Sequence, residues 1–154
     1  MSTTIEATPL TVGTTAPTFS QVEATGGKAI SLSDYAGQYL VMVFYPKDQT
    51  PGCTKQLCAL RDDLAGLNQI NTQVIAVNPD SLQSHERFVA AQGYNFPILV
   101  DADKSICKAY GALKPEGGIQ RTVYIIGPAG EVVFAQQGMP DDATLMDVIR
   151  THQG

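Results

Sequence analysis

Apolar positions change their spacing along this chain, and each spacing predicts an element. Residues 39–45 (YLVMVFY) are almost wholly apolar and rich in β-formers, as in a strand buried on both faces. Pro46 ends it. Beyond it, Leu57, Leu60, Leu64 and Leu67 recur at steps of three and four, which predicts an amphipathic helix from residue 52 to about 68. Residues 73–77 read as a second buried strand. Asp80 then caps a helix, with Gln83 completing a capping box. A short strand follows at 98–100, and a short helix at 104–110 closed by Gly111. Two hairpins flank this centre: 18–24 and 28–32 about Gly26-Gly27, and 122–126 and 131–136 about residues 127–130. A last helix, about 141–151, has Asp141 and Asp142 in its first turn and Arg150 in its last, matching the helix macrodipole. Residues 1–16, rich in Thr and Pro, read as a loose arm.

The order is hairpin, then β-α-β-α-β-α, then β-β-α. Central strands alternating with helices predict an α/β fold, a mixed β-sheet with helices on both faces. A strand leading through a loop into a helix that opens on a cysteine is the thioredoxin-like arrangement. At 154 residues the chain is expected to form one domain, 1–154. Its 44% hydrophobic content argues against disorder, and no apolar run approaches the ~18 residues of a membrane span. A net charge of −5 argues against nucleic-acid binding. The first residues carry neither a basic-then-apolar signal nor an arginine-rich one, so the expected location is cytoplasmic. Three cysteines make no even disulfide framework, and clustered thiols in a reducing compartment point to catalysis or metal binding.

The chemistry concentrates in residues 44–62, FYPKDQTPGCTKQLCALRD. Cys53 falls where the helix begins, where free backbone N–H groups and the positive end of the dipole favour thiolate. The hydroxyl of Thr50, three residues earlier, can reach the sulfur or something bound beside it. Pro46 and Pro51 restrict the loop. Cys53 lies four residues before Leu57, on the apolar stripe, so its sulfur faces a partly dry pocket. Cys58 lies five residues on, with its Cα about 8.6 Å from that of Cys53 in an intact helix. A disulfide tolerates about 7 Å, so pairing these cysteines requires the first turns to unwind. Two inert small hydrophobes is the competing reading; the position of Cys53 at a helix start weighs against it. Two thiolates at this spacing, with no His nearby, fit no structural zinc pattern. A thiol-disulfide oxidoreductase would show Cys-x-x-Cys, and position 56 is Gln56.

The run Pro46-x-x-x-Thr50-x-x-Cys53 resembles the active-site motif of peroxiredoxins. The longer YPKDQTPGCTKQLCALRD resembles the peroxiredoxin Q, or bacterioferritin comigratory protein, subfamily. The resemblance extends from Val12-Gly13 and Pro17-x-Phe19 through residues 101–111 (DADKSICKAYG) to residues 121–126 (RTVYII). It implies that Cys53 is the peroxidatic cysteine and that Thr50 hydrogen-bonds the peroxide. It further implies that Pro46 shields the thiolate from water, that Arg121 holds it ionised, and that Cys58 is the resolving cysteine. Residues 78–80 (NPD) depart from the serine-containing turn usual there.

The expected function is that of an atypical two-cysteine peroxiredoxin, reducing hydrogen peroxide and organic hydroperoxides. Oxidation would form an intramolecular Cys53–Cys58 disulfide. The expected partner is thioredoxin or another dithiol reductant, the expected state a monomer, and no metal, haem or flavin is needed. The alternative is a peroxide sensor that relays oxidation to a partner. Elsewhere the expectations are plainer. Cys107 is a buried structural cysteine and His85 a packed or partly exposed histidine. His152 belongs to the tail, Lys47 and Asp48 to the loop surface, and Gly117-Gly118 to a flexible loop.

Overall fold

A computed structural model describes residues 7–154. Among these residues the strands are β1 (Val22–Ala24), β2 (Lys28–Ile30), β3 (Tyr39–Phe44), β4 (Thr72–Asn78), β5 (Ile98–Val100), β6 (Thr122–Ile126) and β7 (Val132–Gln137). The helices are α1 (Pro51–Gln69), α2 (Leu82–Gln92), α3 (Ser105–Ala109) and α4 (Asp142–Gln153), with a 3-10 turn at Leu32–Tyr35. One mixed sheet runs in the order β2-β1-β5-β4-β3-β6-β7. The β3–β4 and β4–β5 pairs are parallel, and β6 returns antiparallel to β3. This is the thioredoxin-like α/β fold expected from the order of elements. No helix among the described residues is long and apolar enough to cross a membrane.

Every residue of β3 is buried, because layers cover both faces of the sheet. On one side Tyr39, Val41 and Val43 pack with Leu57, Leu60 and Leu67 of α1, Phe88 of α2, and Leu145 and Ile149 of α4. On the other, Leu40, Met42 and Phe44 pack with Ile106, Cys107 and Tyr110 around α3 and with Ala16 and Phe19. The alternation follows from the period of two along a strand. The three longer helices thus share one face, and the other is closed by α3 and the segment before β1.

Two expectations change. The arm does not hang loose over residues 7–16: Gly13 and Ala16 N–H donate to the Val132 and Gly130 carbonyls, each at 2.8 Å. The Leu10 N–H donates to the Tyr124 hydroxyl at 2.9 Å. These backbone bonds replace the apolar periodicity that the segment lacks; residues 1–6 lie outside the described ones. The N-cap of α2 is Ser81, not Asp80: the Ser81 hydroxyl accepts from Ser84 N–H at 3.1 Å. The Asp80 carboxylate instead accepts from the Asp48 N–H at 3.0 Å. The first-turn position belongs to whichever side chain reaches the free amides, and Asp80 is held by the neighbouring loop.

Candidate active site

β3 delivers the chain to a loop, residues 45–50, that turns into α1. Thr50 is the N-cap residue and Pro51 the first helical one, where its missing N–H removes no helix bond. Gln49, just before the cap, has φ 61°, a left-handed conformation unusual for a residue with a Cβ. The first intrahelical bond runs from Thr54 N–H to the Thr50 carbonyl at 2.9 Å. The amides of Gly52 and Cys53 precede it, at the end of the helix that attracts negative charge.

Cys53 is 0% exposed and packs in the α1-side core with Leu57 and Tyr45. Arg121, at the mouth of β6, reaches across to it: Nη2 donates to Sγ at 3.2 Å. The second guanidinium nitrogen, Nη1, donates to Gln56 Oε1 at 2.7 Å. Gln56 is one turn beyond Cys53 on the same helix face, so the two groups form a fork that matches the planar guanidinium. Gly52 leaves room for this approach, since a Cβ there would lie 3.3 Å from Arg121 Nη2. A buried sulfur, a permanent cation and a helix start thus meet at one point. That arrangement stabilises negative charge on sulfur and on an atom reacting with it.

The other expected site residues divide. The Thr50 hydroxyl donates to the Lys47 carbonyl at 2.9 Å and not to sulfur, which leaves its oxygen lone pairs as acceptors. Pro46 is exposed, within the loop. Cys58 is half-buried on the intact α1, with Sγ 3.5 Å from Gln92 Oε1 and 3.7 Å from the Tyr94 hydroxyl. All three cysteines are free thiols. Cys107 lies in the core on the opposite side of the sheet. Burial, and then Asp101, push its thiol up from the ordinary cysteine range.

Asp48 corrects the expectation of loop surface, while His85 is packed as expected and is paired with it. Asp48 is 7% exposed, and three side chains converge on its carboxylate. Tyr45 Oη donates to Oδ1 at 2.5 Å, Ser84 Oγ to Oδ2 at 2.8 Å, and His85 Nδ1 lies 2.6 Å from Oδ2. Burial raises the carboxyl, but these bonds and the His85 charge outweigh it and hold Asp48 below the usual range. Tyr45 is pushed the other way, by burial first and then by the charges of Asp48, Asp80 and Cys53. Gln56 was also missed; its signal was its place three residues after Cys53, on the helix face that Cys53 shares.

Comparisons with known proteins give the chain a family. The AhpC/TSA family pattern matches residues 12–135. Peroxiredoxin Bcp of Xanthomonas campestris is 36% identical over 118 residues, 72% of this chain and 74% of that protein. Peroxiredoxin Bcp of Escherichia coli is 34% identical over 131 residues, covering 80% and 83% of the two chains. A solved structure of the Xanthomonas campestris bacterioferritin comigratory protein, studied for alkyl peroxide reduction, superposes with a TM-score of 0.81 at 30% identity, covering 86% of this chain and 91% of that one. Peroxiredoxin Q of Xylella fastidiosa gives 0.79 at 31% identity, covering 99% and 98%. With the family pattern over most of its length and relatives of this similarity, the chain belongs to the AhpC/TSA family and is one of its peroxiredoxins, a thiol peroxidase.

Proposed function

We propose that Cys53 is the peroxidatic cysteine, that Cys58 resolves it, and that thioredoxin or a similar dithiol restores both. The observation that carries the reading is the 3.2 Å contact of Arg121 Nη2 with Cys53 Sγ at the start of α1. The Cys53 thiolate attacks the terminal oxygen of ROOH. The O–O bond breaks, the electron pair leaves with RO⁻, and a proton from solvent gives ROH. Arg121 and the first amides of α1 face the charge moving from sulfur to oxygen, which lowers the barrier. The Thr50 oxygen accepts a hydrogen bond from the peroxide, since its own proton is engaged by Lys47. Pro46, within the loop, limits water at the sulfur. Cys53 is left as sulfenic acid; the Cys58 thiol attacks its sulfur, water leaves, and a disulfide forms. Thiol–disulfide exchange with the dithiol then regenerates the site. Hydrogen peroxide and organic hydroperoxides are the substrates in this reading. The protein acts as a single cytoplasmic domain and a monomer.

Steady-state NADPH oxidation in the presence of thioredoxin, thioredoxin reductase and peroxide tests it. Wild type turns over repeatedly, Cys53→Ser does not, and Arg121→Ala is slowed at least about tenfold, the loss of a charge-assisted hydrogen bond. Multiple turnover in Cys53→Ser sinks the assignment. Stoichiometric oxidation of wild type without turnover favours the peroxide sensor.

A further inference from the structure

We propose that His85 and Asp48 form a positioning pair, locking the loop between β3 and α1 so that Cys53 and Arg121 meet. The inference rests on the reading of Cys53 as the peroxidatic residue.

The bonding leaves little freedom. His85 is 0% exposed, and both ring nitrogens face acceptors. Nε2 lies 3.1 Å from the Asn78 carbonyl oxygen, which can only accept, so Nε2 carries a proton. Nδ1 lies 2.6 Å from Asp48 Oδ2, so a second proton sits between ring and carboxylate. The other groups facing Asp48 are donors too: the Tyr45 hydroxyl from the end of β3 and the Ser84 hydroxyl from α2. Burial alone would raise the Asp48 carboxyl, but together with the ring they hold it below its usual range. Asp80 faces the same loop from the β4–α2 turn, accepting from the Asp48 amide at 3.0 Å. Asn78 Nδ2 closes the ring by donating to the Tyr45 carbonyl at 2.8 Å.

This network ties both sides of one loop to the end of β4 and the first turn of α2. Asp48 stands five residues before Cys53, and the left-handed Gln49 lies between them. Tyr45 joins the two centres: it donates to Asp48, packs in the core that holds Cys53, and feels the charge of the Cys53 sulfur. A buried polar pair seldom adds net stability over apolar packing of the same volume. One that fastens a strained loop to its neighbours instead fixes geometry. Misplacing Cys53 relative to Arg121 by a fraction of an ångström weakens the 3.2 Å contact on which reactivity depends.

Two variants divide the network. In His85→Asn the amide nitrogen takes the place of Nδ1 and still donates to Asp48. In His85→Gln the amide nitrogen takes the place of Nε2 and donates to Asn78, leaving Asp48 with no partner from position 85. The rate constant of reduced protein with hydrogen peroxide is measured by competition with a haem peroxidase, and melting temperatures are recorded in parallel. His85→Gln and Asp48→Asn should react about tenfold more slowly, and His85→Asn within about threefold of wild type, at similar losses of melting temperature. Ser84→Ala, which removes one donor and disturbs the fold least, should slow the reaction about two- to threefold. A wild-type rate constant in His85→Gln, Asp48→Asn or Ser84→Ala overturns the inference. So does a His85→Asn variant as slow as His85→Gln, because the rate would then follow stability and not the bond to Asp48. Cys53→Ser runs alongside: reactivity retained there removes the reading of Cys53 itself, whereas an inert Cys53→Ser with a fast His85→Gln removes only the positioning pair.

Discussion

Forming a Cys53–Cys58 disulfide should make the protein less stable, despite adding a crosslink. Both cysteines sit on one intact helix, Pro51–Gln69, and the bond cannot form until its first turns unwind. A closed loop of six residues, Cys53 to Cys58, removes chain entropy worth about 2 kcal/mol from the unfolded state. Against that stand two losses in the folded state. Leu57, 0% exposed between the cysteines, leaves the core at a cost of about 2–3 kcal/mol. The Arg121 bond to the Cys53 sulfur is broken, a further loss of about 1.5–3 kcal/mol. The helix bonds lost in the unwound turns are offset by the backbone freedom regained. The oxidised form should therefore be about 2 kcal/mol less stable, which for a chain of this length lowers the melting temperature by about 4–8 °C. Calorimetry on reduced and peroxide-oxidised protein measures the shift, and hydrogen exchange locates it, with amides of residues 50–62 losing protection after oxidation. Equal or higher melting temperature, with unchanged protection in that segment, would mean that the helix stays folded and that Cys58 is not the partner.

Further outcomes follow from single contacts. Gly52→Ala puts a methyl group 3.3 Å from Arg121 Nη2 and should slow reaction with peroxide about three- to tenfold while leaving the melting temperature within about 2 °C, read by competition kinetics and calorimetry. Asp142, at the start of α4, is pushed up to about 7 by burial and then by Asp63, so the folded state holds its proton more tightly than the unfolded one. Its stabilising contribution is complete below the unfolded value near pH 4 and is lost as the pH rises to about 7. Asp142→Asn should abolish that loss, gaining about 1 kcal/mol over wild type between pH 4 and pH 8 after allowing for its half-exposed position, as urea titrations at the two pH values would show. Cys107→Ser should turn over at a near-normal rate with a modest loss of stability, because the thiol lies across the sheet from Cys53; a dominant Cys53–Cys107 link in oxidised protein would contradict this.

The central layers were legible because burial leaves a period. The apolar run ending at Tyr45 became β3, and the leucine ladder became α1 within a residue or two of the expected bounds. The position of Cys53 at a helix start followed from the same reading. Its meeting with Arg121, 68 residues away in the chain, did not: no local pattern encodes a contact between elements so far apart in sequence, and it was expected from the peroxiredoxin resemblance alone. Asp48 was misread because a carboxylate between Lys47 and Gln49 carries every mark of solvated loop. Its burial depends on partners supplied by α2, which meet it only in the folded chain. Residues 7–16 were misread for a related reason, since backbone bonds to residues near β7 leave no trace in side-chain spacing.

Trapping the first oxidation product tests the peroxidatic assignment most directly. Reduced Cys58→Ser is treated with one equivalent of hydrogen peroxide in the presence of dimedone, which captures sulfenic acid, and the peptides are mapped by mass spectrometry. The adduct is expected on Cys53, at close to one per chain, and to vanish in a variant that also carries Cys53→Ser. An adduct found chiefly on Cys107, or peroxide left unconsumed by a protein whose Cys53 is reduced and intact, would contradict the account.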